Sequence, residues 1–334
     1  MRFLKWLVAI VLVLMLAAWF GGETLLAQQA RKMIAEDPAL SASEVAPMRS
    51  LTRAGLRISD LRLEDGSLSL PQLDLWVPPW APTEFHAALP PQFTTSAEGV
   101  PLDVTAQDAS GSLHFAPTAS LALSAVRADS GAVTVNGAPV LDHLALTADL
   151  AQIGPDAPRA AGAGYAVALD LAGLALPKAP EMPDTGPVSV KGRAFVWLTD
   201  APARGILSGR GTDVQLVGAE SREGVTLMLG GLTARVLGRV SADAQGLAEG
   251  TALIYTRDAE GFVALAERAG ILPAKQAQLA RATLANLSKA PLPAGDWPTP
   301  EAGEVQLALQ LRAGKVFFGP LPLGEAPRLM TPSP

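Results

Sequence analysis

The stretch LRISDLRLEDGSLSLPQLDLWV, residues 56–77, decides the fold class. Leucine, isoleucine and valine alternate in it with polar residues, which is the two-residue period of a β-strand with one apolar face. Glu64-Asp65-Gly66 in its middle is typical of a tight turn, because glycine accepts a positive φ. The stretch therefore predicts two consecutive strands joined by a short turn.

The same alternation recurs along the chain without an exact repeat. The segments that show it are residues 121–123, 133–135, 165–171, 214–216, 225–229 and 305–311. Asn136-Gly137 is a strong hairpin signal, since both residues tolerate positive φ. We therefore expect a fold that is mainly β with minor α: a curved antiparallel sheet, or an open groove or barrel-like body.

Composition excludes several classes of protein. The chain has 334 residues, of which 49% are hydrophobic and 17% charged, so it can bury a large core. A net charge of −6, an aromatic content of 5% and the lack of a basic stripe argue against a nucleic-acid partner. The chain has no cysteine, which excludes disulfides, thiolate catalysis and cysteine–zinc sites.

The first 22 residues predict a transmembrane signal-anchor. No charge occurs from Leu7 to Gly22, and this run, extended by snorkelling of Lys5, approaches the roughly 20 residues that a helix needs to span a bilayer. Arg2 and Lys5 precede it, so the positive-inside rule places the N-terminus in the cytoplasm and the body outside. The alternative is a cleaved signal peptide, with cleavage before Trp19 or Gln28.

Two further regions predict helices. Residues 23–50 read as a helical stalk and linker, and residues 257–290 as a helical pair in which Asp258 caps the first helix, Gly270 ends it and Pro273 begins the second. The apolar faces of the pair are Phe262, Leu265, Ala266 and Ala269, then Ala277, Ala280, Leu284 and Leu287. Residues 51–256 form the predicted β-rich body, and residues 291–334 its closing strands and tail. The pair is expected to cover a sheet edge or an open end, or alternatively to dock a partner.

The sequence carries no recognisable chemical site. His86, His114 and His143 lie on different segments without a partner at helical spacing, and no nucleophile elbow, dinucleotide fingerprint or metal-ligand cluster is present. We therefore expect no catalytic, cofactor-binding or metal-binding residues, no cofactor, and no enzymatic activity.

Apolar strand faces remain as the one physical signal. A sheet with one apolar face can hold acyl chains without specific polar contacts, because burial of apolar surface is non-directional. The candidate groove consists of Leu68, Leu70, Leu121, Leu123, Val225, Leu227, Leu229, Leu307 and Leu309. The alternative is that these faces are simply core.

Four stretches resemble the domain of unknown function 2125 family of bacterial envelope proteins. They are AGILPAKQAQLARATL (269–284), LRAGKVFFGPLPLGEAPRL (311–329), LDLWVPPWAPTEFHAALPP (73–91) and GRVSADAQGLAEGTALI (238–254). In the second stretch we expect a closing hairpin, with a turn at Ala313-Gly314 and Lys315 as an exposed edge charge.

The resemblance implies an outline but no catalytic residues. An inner-membrane anchor followed by a β-rich periplasmic body is similar in architecture to AsmA-related proteins, whose long β-grooves are implicated in moving phospholipid between membranes. The expected function is to bind or shield lipid acyl chains in envelope maintenance or lipid transport. The alternative is a periplasmic protein-interaction scaffold with a fully packed β core and an envelope protein as its partner.

Overall fold

A computed structural model describes residues 22–97, 99–119, 121–175, 186–202, 214–268, 270, 272–287 and 297–331. The chain forms two compact units. Unit 1 comprises residues 1–117 and 127–139, and unit 2 comprises residues 118–126 and 140–334. The predicted anchor at residues 1–22 lies almost wholly outside the described residues.

Unit 1 contains one helix and an antiparallel sheet. The helix α1 covers residues 22–36 of the described chain. The strands are β1 (Leu40–Ser41), β2 (Glu44–Pro47), β3 (Ala54–Leu63), β4 (Leu68–Val77), β5 (Glu84–Ala88), β6 (Gln92–Ala97), β7 (Val100–Ala106), β8 (Ser110–Ala116) and β10 (Val133–Val135). Strands β1 and β2 both pair with β3, and β3 pairs with β4. Strand β4 then pairs with both β5 and β6, so the sheet forks there, and its branches continue to β8 and to β7–β10.

Helix α1 covers the apolar face of strands β2–β4. Ala27, Val45 and Ile58 form a buried cluster there, against which Ala30, Ile34, Leu56, Leu61, Leu73 and Leu75 pack. In a regular strand, residues three positions apart point to opposite faces. Ile58 and Leu61 nevertheless contact the same cluster, because the strand is irregular at Asp60, which has a φ of 48°. The alternation that predicted these strands therefore marks a helix-covered core.

Unit 2 contains a long meander of antiparallel strands. They are β12 (His143–Ala151), β13 (Ala163–Leu174), β14 (Val188–Leu198), β15 (Leu216–Leu229), β16 (Leu232–Ala242), β17 (Ala248–Thr256), β18 (Val305–Arg312), β19 (Lys315–Phe318) and β20 (Leu321–Glu325). Each strand pairs with the next in sequence. Strands β9 (Ala122–Ser130) and β11 (Ala138–Leu141) cross the division between the units. The expectation of a mainly β, antiparallel and open sheet with minor α is confirmed.

Two predicted hairpin turns are present. Asn136 and Gly137 have φ values of 50° and 78°, and Ala313 and Gly314 have 50° and 72°, which is the geometry of a type I′ turn. Lys315 is exposed, but the edge-strand interpretation was wrong: β19 pairs with β18 on one side and with β20 on the other.

The predicted helical pair is present as α2 (Ala259–Arg268) and α3 (Ala274–Leu287). Asp258 Oδ1 accepts a hydrogen bond of 2.7 Å from the backbone N–H of Gly261, so it caps α2 as expected. Gly270 follows α2 with a φ of 69°, and the carbonyl of Pro273 accepts the first bonds of α3. Ala269 and the side chain of Leu287 lie outside the described residues.

Candidate functional site: an apolar sheet face in unit 2

Cross-strand pairing aligns apolar side chains in rows across seven strands of unit 2. Residues directly opposite each other in an antiparallel pair point to the same face of the sheet. One row runs through Leu146, Leu169, Gly192, Val225, Val236, Ile254 and Leu307. The row two residues away runs through Leu144, Leu171, Val190, Leu227, Ala234, Thr256 and Val305. We call the surface formed by these rows on β12–β18 the apolar face.

The opposite side of the same strands is polar. The row that lies between the two apolar rows runs through Ala145, Asp170, Lys191, Thr226, Arg235, Tyr255 and Gln306. Lys191 Nζ and Asp170 Oδ2 form an ion pair of 2.7 Å in this row. We call this second side the polar side, although near β16–β18 it also carries the apolar pair Leu237–Leu253.

Helices α2 and α3 cover one end of the apolar face. Their residues Ala259, Ala277, Ala280 and Leu284 form a buried cluster with Leu307 and Phe318, against which Ile254, Val305 and Leu309 pack. All the strand residues of this cluster belong to β17–β20. On β12–β15 the members of the two rows are half-buried, apolar and outside the cluster that the helices build.

The polar side of β16–β18 is also covered, by the segment that precedes β18. Leu237, Leu253 and Tyr255 are at most 1% exposed and pack with Trp297 and Ala308. The Tyr255 hydroxyl donates a hydrogen bond of 2.8 Å to the carbonyl of Pro298. The β17–β18 part of unit 2 thus has chain on both of its faces.

An ion pair joins this segment to the sheet. Arg235 Nη2 lies 3.0 Å from Glu304 Oε2, and its guanidinium carbon lies 4.9 Å from the centre of the Tyr255 ring. Burial raises the pKa of the Tyr255 hydroxyl, while Arg235 acts in the opposite direction. Burial also raises the pKa of the Glu304 carboxyl. Hydrogen bonds from the Glu301 backbone and from Arg235 lower this pKa by more, so that it lies below its usual range.

The predicted groove residues of unit 2 share the apolar face. Val225, Leu227, Leu307 and Leu309 lie in or beside its rows, and Leu229 pairs with Leu232 at the β15–β16 turn. Leu307 and Leu309 are under the helices, whereas Val225, Leu227 and Leu229 are half-buried.

Leu123 closes another border of the same face. Tyr165, whose side chain lies in a further row with Leu150 and Val196, is 5% exposed and donates a hydrogen bond of 2.6 Å to the Leu123 carbonyl. Leu121 is half-buried, with a φ of 60°.

The remaining two predicted groove residues belong to unit 1. Leu68 pairs with Thr95 and is half-buried, and Leu70 pairs with Leu61 and is 4% exposed. Because Leu61 packs against the cluster under α1, this part of the predicted set adjoins a covered core.

A cavity of about 390 Å³ lies on the polar side of β14–β15. Arg193, Phe195, Trp197 and Glu220 contribute to its lining, and the rings of Phe195 and Trp197 are 5.4 Å apart. Among the described residues, none accepts a hydrogen bond from the buried Trp197 Nε1. The charged groups at its rim carry both signs, so the cavity favours no single class of ligand.

The histidines do not build a site. His86 stacks on Trp76 at 5.2 Å, with its Nε2 3.1 Å from Glu84 Oε1, and His114 lies opposite Glu84 in the β5–β8 pair. His143 is exposed at the start of β12 in unit 2. Within the described ranges, no group of His, Asp or Glu side chains has the arrangement of a metal site.

Sequence reasoning missed the strands that widen the face. Leu146, Val190 and Val236 carry its rows between the predicted positions. The signal that could have found them is the alternation in HLALTADLA, VSVKGRAFVW and LTARVLGRV.

Comparison with known proteins gives one match. The family described as "Uncharacterized protein conserved in bacteria (DUF2125)" matches residues 19–327. No curated protein and no solved structure matches the chain. Among the described residues, no helix is long and apolar enough to cross a membrane.

Proposed function

The chain belongs to this family of uncharacterised bacterial proteins, and from that premise we propose that it is a membrane-anchored periplasmic protein that binds or shields lipid acyl chains without catalysing a reaction. The observation that carries the proposal is the apolar face on β12–β15. Its rows contain leucine and valine side chains that are half-buried and lie outside the cluster built by α2 and α3. Apolar side chains that stay partly accessible side by side on one face are typical of an interaction site.

The chemistry of the face fits a hydrocarbon chain. Leu146, Leu169 and Val225 offer only apolar contacts, and the charged row of Asp170 and Lys191 points to the other side. Acyl chains need no hydrogen-bond partner, so an apolar surface bounded by covering elements is sufficient to hold them. In this proposal the face forms a shallow groove between the Tyr165–Leu123 border and the α2–α3 helices.

Sequence supports the proposed location. The uncharged run Leu7–Gly22 would insert in the inner membrane, with Arg2 and Lys5 on the cytoplasmic side and the body in the periplasm. A role in envelope maintenance or lipid transport follows from acyl-chain binding at that place.

The test uses the full chain in bacterial membranes that have been fed a photoreactive fatty acid. After irradiation, the purified chain is digested and its lipid adducts are mapped by mass spectrometry. We expect adducts on β12–β15, and we expect Leu227→Asp to abolish them because a carboxylate on the apolar face repels hydrocarbon. Thr226→Asp is the matched control, since Thr226 is the neighbouring residue on the polar side and is equally half-buried.

Two outcomes would contradict the proposal. Adducts that are equally frequent in both variants would show that the apolar face does not hold the lipid. Cross-links from the same face to a protein, without lipid adducts, would instead support the second candidate, a protein-interaction scaffold. The packed β17–β18 part, which has chain on both faces, is the observation that favours that candidate.

A further inference from the structure

One end of the sheet in unit 1 collects the three most exposed large apolar side chains of the described residues. Trp80 is 72% exposed, Leu51 68% and Leu25 67%. Leu51 precedes β3 by three residues and Trp80 follows β4 by three, and these two strands meet at the pair Ala54–Val77. Leu51 and Trp80 thus flank the same end of two paired strands, and exposed apolar side chains at one end of a sheet are typical of a contact surface.

A buried carboxylate joins the start of α1 to this end. Glu23 is 1% exposed, and its Oε2 and Oε1 accept hydrogen bonds of 3.1 Å from the backbone N–H groups of Arg49 and Gly55. Leu25 follows Glu23 by two residues on α1. The loop between β2 and β3 therefore lies at the level of the first turn of α1.

Gly55, which donates one of these bonds, is also a place where β3 approaches β4 closely. A Cβ added at Gly55 would lie 2.2 Å from the carbonyl oxygen of Leu75, so no larger residue fits without a shift of the backbone. The start of β3, to which Glu23 bonds, is thus packed tightly against β4.

The same loop carries positive charge. Arg49 and Arg53 are exposed, and the guanidinium of Arg53 lies 4.8 Å above the ring of Trp76. Tryptophan and arginine beside leucine are the residue types that occupy the interface of a bilayer, where rings and guanidinium groups reach the lipid headgroups.

We propose that this end of unit 1 rests in the interface of the bilayer that holds residues 7–22, with the two arginines against anionic lipid headgroups. We call it the boundary patch; it consists of Leu25, Arg49, Leu51, Arg53 and Trp80. The occupant is identified by continuity: Glu23 is the first residue after the uncharged run, and it bonds directly to the loop. The inference rests on the membrane anchoring proposed above, but not on acyl-chain binding in unit 2.

The experiment exploits the absence of cysteine from the chain. Three full-length variants, Ala17→Cys, Leu51→Cys and Val100→Cys, each take one environment-sensitive dye and are reconstituted in vesicles of phosphatidylcholine and phosphatidylglycerol. Brominated acyl chains in half of the vesicles quench a dye that reaches the bilayer. Val100 is the matched control: it is 58% exposed and lies at the other end of the ten-residue strands β3 and β4, about 30 Å away.

We expect the dyes at residues 17 and 51 to lose most of their fluorescence in brominated vesicles and the dye at residue 100 to keep it. If the dye at residue 17 is quenched but the dyes at residues 51 and 100 both keep their fluorescence, the proposal of a boundary patch is wrong and that of the anchor stands. No quenching at 17 would overturn both. None of these results depends on lipid adducts in unit 2, so failure of acyl-chain binding is detected separately.

A second pair of variants tests the charge. In the Leu51→Cys background, the double substitution Arg49→Glu and Arg53→Glu should reduce quenching in the anionic vesicles. The charge-conserving double substitution Arg49→Lys and Arg53→Lys should leave quenching unchanged. Equal quenching in the two pairs would contradict the role of the arginines.

Discussion

The two ends of the meander in unit 2 have the same strand pattern but different surroundings. At β17–β18, helices α2 and α3 cover the apolar face and the segment that carries Trp297 covers the polar side, so that Leu253 and Tyr255 have no exposed surface. At β12–β15 the same rows continue with half-buried leucines and valines. Alternation in the sequence thus specifies which side of a strand is apolar, and other elements decide whether that side becomes core.

The largest expected effect comes from removing the helical cover. Ala277 of α3 is fully buried in the cluster that includes Leu307 of β18, so Ala277→Asp places an unpaired charge there and should cost about 3–5 kcal/mol. Amide hydrogen exchange on β17 and β18 should then rise toward that of β13. If exchange on these strands is unchanged, the helices do not protect that end.

Truncation of one leucine at each end tests the comparison directly. Leu253→Ala should lower the free energy of unfolding by about 2–5 kcal/mol, because Leu253 has no exposed surface. Leu169→Ala should cost less, about 1–2 kcal/mol, since part of the Leu169 side chain remains exposed. Urea denaturation of both variants measures the difference, and equal losses would break the distinction between the two ends.

Removal of an ion pair at each end should change the stability by less than the leucine truncations do. Glu304→Gln removes the partner of Arg235, a pair whose side chains are 22% and 11% exposed, and should cost about 1 kcal/mol. Lys191→Met removes the pair with Asp170, where the lysine is 74% exposed, and should change stability by less than about 0.5 kcal/mol. Thermal denaturation of the two variants checks this order, and a larger effect at Lys191 would reverse it.

The pH dependence is a smaller effect at the covered end. Because the pKa of Glu304 is lowered in the folded chain, its ionised form contributes stability above the ordinary glutamate pKa. That contribution is lost as the pH falls through the lowered pKa. The acid-side slope of thermal stability should therefore be shallower in Glu304→Gln than in the unmodified chain, and parallel curves would contradict the assignment.

Much of the fold could be predicted from the sequence because the signals are local. The two-residue period of Val225–Leu229 and of residues 305–311 identified strands, and Asn136-Gly137 and Ala313-Gly314 identified turns through their tolerance of positive φ. Asp258 and Gly270 likewise identified the ends of α2.

The state of the apolar face could not be predicted, since it depends on contacts between distant parts of the chain. Leu307 is core because α3 packs on it, whereas Leu227, with the same sequence signal, is half-buried. The Arg235–Glu304 pair joins residues 69 positions apart, and neither residue has a local pattern that indicates it. Glu23 is a further case, because a glutamate in the first turn of a helix reads as exposed until the loop that buries it is known.

The central claim, that the apolar face of β12–β15 contacts hydrocarbon, is tested most directly by a scan along one strand. Single cysteines at Val225, Thr226, Leu227, Met228 and Leu229, each carrying a dye in the full-length chain, are exposed to lipids with brominated acyl chains. We predict quenching with a two-residue period, at residues 225, 227 and 229 and not at 226 and 228, because adjacent residues of a strand point to opposite sides. Uniform quenching, or none at the three apolar positions, would contradict the account.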